Sequence, residues 1–242
     1  IGVPKEIKSQ ENRIGLTPDS VKVLTSNGNE VLIENNGGFE AGFDNEQYKQ
    51  AGAKIVDKAE DIFNDAEIIV KVKEPLLNEV KMIKEDQIVF TYFHLAAAKD
   101  LTKGLIDSKS ICIAYETVTD NDGRLPLLAP MSAVAGRMSV QAGAHCLEKN
   151  QKGRGLLLGG APGVNPGNVV ILGGGVVGEN AAIIATGLQA KVHVVDKSEK
   201  RLKQLTEIFG DKIIPQISDK VDLEKLISEC DLLVGGVLIP GA

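Results

Sequence analysis

Cysteine is scarce in this 242-residue chain, with only Cys112, Cys146 and Cys230, far apart. So sparse and odd a set excludes a disulfide framework and the close-spaced pairs that chelate zinc, and a reducing cytoplasm is the expected home. Basic residues are also short: 27 Lys and Arg lie scattered among 33 Asp and Glu, and the net charge of -6 argues against binding nucleic-acid phosphates. No long apolar run is present, because the most apolar stretch is broken by Glu179, Asn180 and several glycines. The amino-terminal IGVPKEIK has no basic stretch followed by an apolar one, so neither a spanning nor a targeting segment is expected. G-x-S-x-G, H-E-x-x-H and Walker patterns are missing, which leaves hydrolase, zincin and phosphoryl-transfer readings without their constellations. There is no internal repeat and no low-complexity tract. Methionine is not the first residue, and the chain is expected to be part of a longer polypeptide.

What is present suits a folded protein: 43% hydrophobic and 25% charged residues give enough apolar material to offset chain entropy. The length predicts two domains of about 100 to 150 residues. In the first half, short β-branched runs alternate with helical patterns, as in parallel strands joined by crossover helices. IGV at 1–3 reads as a strand. Thr17 and Pro18 read as an N-cap followed by a proline at the first helical position, with Val21 and Leu24 facing the core and Asn27-Gly28 as the stop. EVLIE from Glu30, EIIVKV from Glu67, QIVFTYF from Gln87 and SICIAYE from Ser110 read as strands. Helices are expected from Phe43 to Gly52, around Leu77 to Lys84 and from Lys99 to Asp107. A long helix starting near Ser132 is expected to bridge to the second half, followed by the turn-rich segment from Gly153 to Gly167. The predicted architecture is α/β: two doubly wound Rossmann-like domains, 1–128 and 129–242, linked by the long helix, with a cleft between them.

The second half carries the more specific signal. NVVIL, from Asn168 to Leu172, runs directly into Gly173-Gly174-Gly175-Val176-Val177-Gly178 and then a helical pattern, which is G-x-G-x-x-G in its strand-turn-helix setting. Gly173 permits the tight turn, Gly175 lets the backbone approach a pyrophosphate, and Gly178 lets the helix sit close on the strand. The helix amino terminus offers its N–H groups to the phosphates. A second strand, KVHVVD, ends at Asp196, where a carboxylate accepts hydrogen bonds from the adenine ribose and repels a 2′-phosphate. NAD is therefore favoured over NADP, although Lys197 and Arg201 lie close enough to soften the repulsion. Further strands are expected to begin near Lys212 and Asp231.

Three residues of the first half stand out as partners for a redox cofactor. Arg13, in the polar loop SQENRIG, is either a solvated loop arginine or a bidentate ligand for a small carboxylate. Lys73 ends the run IIVKVKEP at a strand's carboxyl edge, where it either polarises or holds a substrate oxygen or serves solubility. His94 follows QIVFTYF at the equivalent edge, as a proton-transfer group or a core histidine with one satisfied nitrogen. His145, in a helix, and His193, in a strand, read as structural.

Taken together, IGVPKEIKSQENRIGLTP, KVKEP, FTYFHLA, PMSAVAGRM, RGLLLGG and ILGGGVVG resemble the bacterial NAD-dependent L-alanine dehydrogenases, over essentially the whole chain. The neighbouring family, the α subunit of proton-translocating transhydrogenases, shares the fold but lacks the lysine of KVKEP and the histidine of FHLA. The resemblance implies an oxidoreductase acting on CH–NH2 groups: reversible NAD-dependent oxidative deamination of L-alanine to pyruvate and ammonia, by a cytoplasmic homohexamer. It implies that Arg13 and Lys73 bind the substrate carboxylate and carbonyl and that His94 is the acid/base. It further implies that Ser132 contacts the cofactor, that Val176 lies under the pyrophosphate, that Asp196 and Arg201 meet the adenosine ribose, and that Ser218, Val237 and Leu238 line the adenine and nicotinamide path. No metal is implied. The alternatives are an NAD-binding hydride-transfer subunit of a transhydrogenase and a catalytically inactive NAD-binding protein. Members of the family continue well past LIPGA and supply a second catalytic aspartate there.

Overall fold

A computed structural model describes residues 1–237. Leu238, for which a cofactor contact is expected, lies outside the described residues. The chain forms two compact units, Ile1–Leu125 and Pro126–Ala242.

The first unit runs β1 (Gly2–Val3), α1 (Pro18–Ser26), β2 (Leu32–Glu34), α2 (Asn45–Gln50), β3 (Lys54–Val56), α3 (Ala59–Asp65), β4 (Ile68–Val70), α4 (Leu77–Val80), β5 (Ile88–Thr91), α5 (Lys99–Ser108) and β6 (Ile111–Ala114). All strand pairs are parallel, in the order β3-β2-β1-β4-β5-β6. Helices cover both faces, as a parallel sheet requires. Adjacent residues face opposite cores: Leu32 and Ile69 pack with Ile62, Phe63, Leu101 and Leu105, whereas Ile33 and Val70 pack with Val21 and Tyr48. The start of α1 is as expected, since the Thr17 side chain accepts a hydrogen bond from the Ser20 N–H and Pro18 opens the helix. The structure adds β3 and α3 to the elements that the sequence predicts. AKIV is a single run of strand length between Gly52 and the charged KAEDIFND, too short for its period to declare itself.

The second unit runs α6 (Ala129–Cys146), β7 (Asn168–Leu172), α7 (Val176–Gly187), β8 (Lys191–Asp196), α8 (Glu199–Phe209), β9 (Ile213–Ile217), α9 (Leu223–Ser228) and β10 (Leu232–Gly235). Among the described residues its strands are parallel in the order β10-β7-β8-β9. Val169, Val170 and Ile171 of the central β7 are fully buried, and Leu202 and Leu205 of α8 sit against the same core as Val192 and Val194. The helix expected near Ser132 starts three residues earlier, at Ala129, because Pro130 is accommodated in the first turn, where its missing N–H leaves no bond unmade. Likewise α7 begins inside the glycine motif, at Val176. Among the described residues no helix is long and apolar enough to cross a membrane.

Candidate functional site

In the first sheet, β1 leads out to β2 and β3 on one side, and the chain then returns to build β4, β5 and β6 on the other. The loops after β1 and β4 therefore diverge at their carboxyl ends and leave a crevice, the usual place for a ligand in an open α/β sheet. Gly15 brings the first loop against the second: a Cβ there would lie 2.7 Å from the Val70 carbonyl oxygen. Between them is a cavity of about 310 Å³ lined by Arg13, Ile14, Thr17, Lys71, Tyr92 and Tyr115, among others. A larger cavity, about 480 Å³, lies at the opposite edge of β4 and β5, against Glu67, Lys84 and Gln87. It gathers no part of the crevice.

The crevice rests on a buried ionic cluster. Lys71 Nζ donates to Glu6 Oε2 at 3.1 Å and to Glu79 Oε1 at 2.9 Å, and all three side chains are at most 3% exposed. The spare oxygens are used as well. Glu6 Oε1 accepts from the Val72 N–H at 2.6 Å and the Lys73 N–H at 3.3 Å, and Glu79 Oε2 accepts from the Leu76 N–H at 2.8 Å. Giving every carboxylate oxygen a donor in this way is what makes buried charge tolerable. The cluster fixes the backbone at Lys73, whose side chain is half-buried just beyond β4.

Arg13 is paired with Glu11, which accepts from its backbone N–H at 2.9 Å, its Nε at 2.8 Å and its Nη2 at 2.6 Å. That hydrogen bonding holds the Glu11 carboxyl below the usual range and raises the guanidinium further. His94 is exposed at the end of β5 and adopts a left-handed backbone, φ 51°, a conformation that costs a non-glycine residue about 1 to 3 kcal/mol. Glu116 stabilises the turn: its Oε1 accepts from the His94 N–H at 2.8 Å and the Phe93 N–H at 3.0 Å. The His94 ring stacks on Tyr92, centroids 6.2 Å apart and 13° from parallel. Burial raises the hydroxyl pKa of both Tyr92 and Tyr115.

The second unit builds its loop from backbone. Gly173 has φ 93°, and a Cβ there would lie 2.8 Å from the Gly236 oxygen, so the turn after β7 is seated against the end of β10. At Gly178 an added Cβ would fall 1.9 Å from the Gly173 oxygen, while at Gly175 it would meet nothing within 4 Å. Open space thus faces the start of α7, whose N-cap, Gly175, supplies no side chain to the first-turn N–H groups. Asp196, at the end of β8, accepts from the Gly174 N–H at 2.7 Å and the Ser198 N–H at 2.8 Å. Arg201 Nε donates to the Gly174 oxygen at 2.6 Å. Val237 lies beside Gly173, since a Cβ on that glycine would be 3.1 Å from Val237 Cγ2. Ser218 follows β9 at the same edge, and Ser132 lies one turn before Gly136 on α6, where a Cβ on Gly136 would be 2.2 Å from the Val177 oxygen. Val176, the first residue of α7, is exposed.

The alanine dehydrogenase/PNT N-terminal domain model matches residues 2–135, and the corresponding C-terminal domain model matches residues 139–242. The chain belongs to the alanine dehydrogenase/PNT family. It is 52% identical over all 242 residues to an alanine dehydrogenase of Methanococcus maripaludis and 51% identical over the same span to one of Staphylococcus epidermidis, covering 65% of each. A solved L-alanine dehydrogenase superposes with a TM-score of 0.89 at 51% identity, over 99% of this chain and 66% of that one. A transhydrogenase from Sinorhizobium meliloti shares the fold, with a TM-score of 0.79 at 22% identity over 100% of this chain and 70% of that one. The chain therefore spans just under two thirds of the length of these alanine dehydrogenases.

Within this family member, Arg13 reaches the crevice of the first unit, and Lys73 and His94 stand at neighbouring strand ends, although neither lines the cavity itself. Several residues of the site escape a reading of the sequence. Glu6, Lys71 and Glu79 belong to no local pattern. Glu116 gives no sign that it anchors a turn 22 positions earlier, and Tyr92 looks like one more strand aromatic. In the loop, Gly174 counts as an unconstrained position of the motif, yet a Cβ on it would lie 2.8 Å from Leu205 Cδ1. His193 is a half-buried strand residue whose imidazole burial pushes below its ordinary pKa, and His145 is exposed beside Glu148. Among the described residues no group of three or more His, Cys, Asp or Glu is placed to hold a metal ion.

Proposed function

We propose that the protein is an NAD-dependent L-alanine dehydrogenase, in which residues 1–128 bind the amino acid and 129–242 bind the dinucleotide. The observation that carries this reading is the 52% identity to an alanine dehydrogenase across all 242 residues. The loop supports the cofactor: clear space at Gly175, an uncapped helix start and a carboxylate at the end of β8 suit a pyrophosphate and an adenosine ribose. Gly173, Gly175, Val176 and Gly178 would hold the pyrophosphate, Asp196 would accept from the ribose hydroxyls with Arg201 packed beside them, and Ser132, Ser218, Val237 and Leu238 would line the rest of the path. When bound, NAD accepts the hydride that leaves the alanine Cα.

Arg13 takes the substrate carboxylate through its guanidinium, and Lys73 holds the oxygen that develops at Cα, so that the Cα–H is oriented for transfer. Positioning of this kind lowers a barrier by several kcal/mol, on the order of 7 in favourable cases. After hydride loss, His94 removes a proton from the water that adds to the Cα–N double bond and returns one to the nitrogen as ammonia leaves, giving pyruvate. Glu116 keeps His94 in its left-handed turn throughout. The same resemblance supports a cytoplasmic homohexamer, and the free thiols of Cys112, Cys146 and Cys230 suit a reducing compartment.

Incubating the full-length protein with NAD and L-alanine tests this, by NADH absorbance. Alanine-dependent NADH is expected in the wild type, and His94→Ala should abolish it while leaving NADH binding intact. Near-normal turnover by His94→Ala would remove the acid/base assignment. Hydride exchange between dinucleotides without alanine would favour a transhydrogenase subunit, and NADH binding without either reaction an inactive dinucleotide-binding protein.

A further inference from the structure

Asp196 accounts for repulsion of a 2′-phosphate, but a cation stands beside it on the same edge. Arg201 follows Asp196 by five residues, and a guanidinium fork is the group best shaped to hold a phosphate. In this chain every nitrogen of that fork is engaged. Nε donates to the Gly174 oxygen at 2.6 Å, one terminal nitrogen donates to Gln204 Oε1 at 3.3 Å, and the other is ion-paired with Glu179 Oε2. Glu179 lies on the first turns of α7, the helix that begins inside the glycine motif, so its carboxylate reaches from the loop to α8. The pair is partly sheltered, 27% exposed at Arg201 and 31% at Glu179. It is therefore screened less than a fully exposed pair.

We propose that Glu179 is a specificity-determining residue: by holding Arg201 it denies the fork to a 2′-phosphate and so enforces the preference for NAD over NADP. This rests on the reading of the glycine loop as a dinucleotide site. Asp196 supplies the repulsion, and Glu179 engages the neighbouring fork that would otherwise offset it; Lys197, exposed next to Asp196, offers only a point charge. The two acids act in different ways. Asp196 can still accept from a ribose hydroxyl, because each of its oxygens has used one lone pair, on Gly174 N–H and Ser198 N–H respectively.

The test is calorimetric binding of NADH and NADPH to the full-length protein, independent of turnover. Glu179→Ala is expected to raise NADPH affinity relative to NADH by about tenfold, the value of one freed charge-assisted contact. Adding Arg201→Leu should cancel that gain. Glu179→Gln, which keeps an acceptor without the charge, should fall between wild type and Glu179→Ala. An equal gain for both dinucleotides would overturn the proposal, because it would reflect only the loss of a negative charge. So would a gain that survives Arg201→Leu, or no gain at all. If the wild type binds neither dinucleotide, the loop reading fails and the proposal with it, an outcome separate from the others.

Discussion

At the carboxyl edge of the first sheet the chain carries charge inward: Lys71, 1% exposed, is met by Glu6 and Glu79 from both sides. At the corresponding edge of the second sheet it removes side chains instead, so that Gly173 and Gly178 let backbone touch backbone and Gly174 makes room for Leu205. Both sheets are parallel and both reverse their winding next to the first strand, β1 in one and β7 in the other. The same topology thus supports two kinds of site. One is held by complementary ions contributed from distant positions, the other by the absence of Cβ atoms in one contiguous segment. The first should fail when charge is deleted and the second when carbon is added.

Lys71→Met is the most severe way to break that contrast. It strands two carboxylates in the interior, and removing one partner of a buried ion pair costs about 3–5 kcal/mol. Chemical denaturation should show the first unit unfolding at lower denaturant with the second unchanged; a loss shared by both units, or none, would show that the cluster does not bear on the first unit alone. Next in size is Gly178→Ala, whose Cβ would fall 1.9 Å from the Gly173 oxygen. Overpacking against backbone is expected to destabilise the second unit by about 3 kcal/mol. Gly175→Ala meets nothing and should cost less than about 1 kcal/mol, the difference between those residues at an N-cap. Its effect should appear as weakened NADH binding, and equal destabilisation by the two alanines would contradict the steric account. The smallest effect concerns acid. Glu11 has its pKa lowered by Arg13, so the pair contributes stability above the ordinary carboxylate value, and that contribution is lost as pH falls through the lowered one. Glu11→Gln should flatten the acid limb of the first unit's stability profile, and an unchanged limb would remove the pair from it.

The same contrast governs what a sequence reveals. The loop of the second unit is legible because its constraints lie within six consecutive residues, and Asp196 follows at a strand end that alternation identifies. Helix starts show equally well where one cap residue decides them, as at Thr17. The crevice of the first unit is another matter. In KVKEP the two lysines would share a face if the strand continued, and nothing local says that β4 stops at Val70 and that Lys71 is enclosed while Lys73 stays half-buried. Glu6 sits 65 positions from its lysine, a distance over which no periodicity carries information. Strands as short as β3 present too few residues for a period of two to stand out.

Where α6 passes α7, Gly136 and the Val177 carbonyl leave no room for an intervening side chain. No rotamer is available there to absorb slack. A tilt of α6 must pull the first turn of α7 with it, and Ser132, a single turn away, moves as part of the same stiff piece. A substitution that alters the path of α6 far from the glycines should therefore register as a shift of the turn that follows β7.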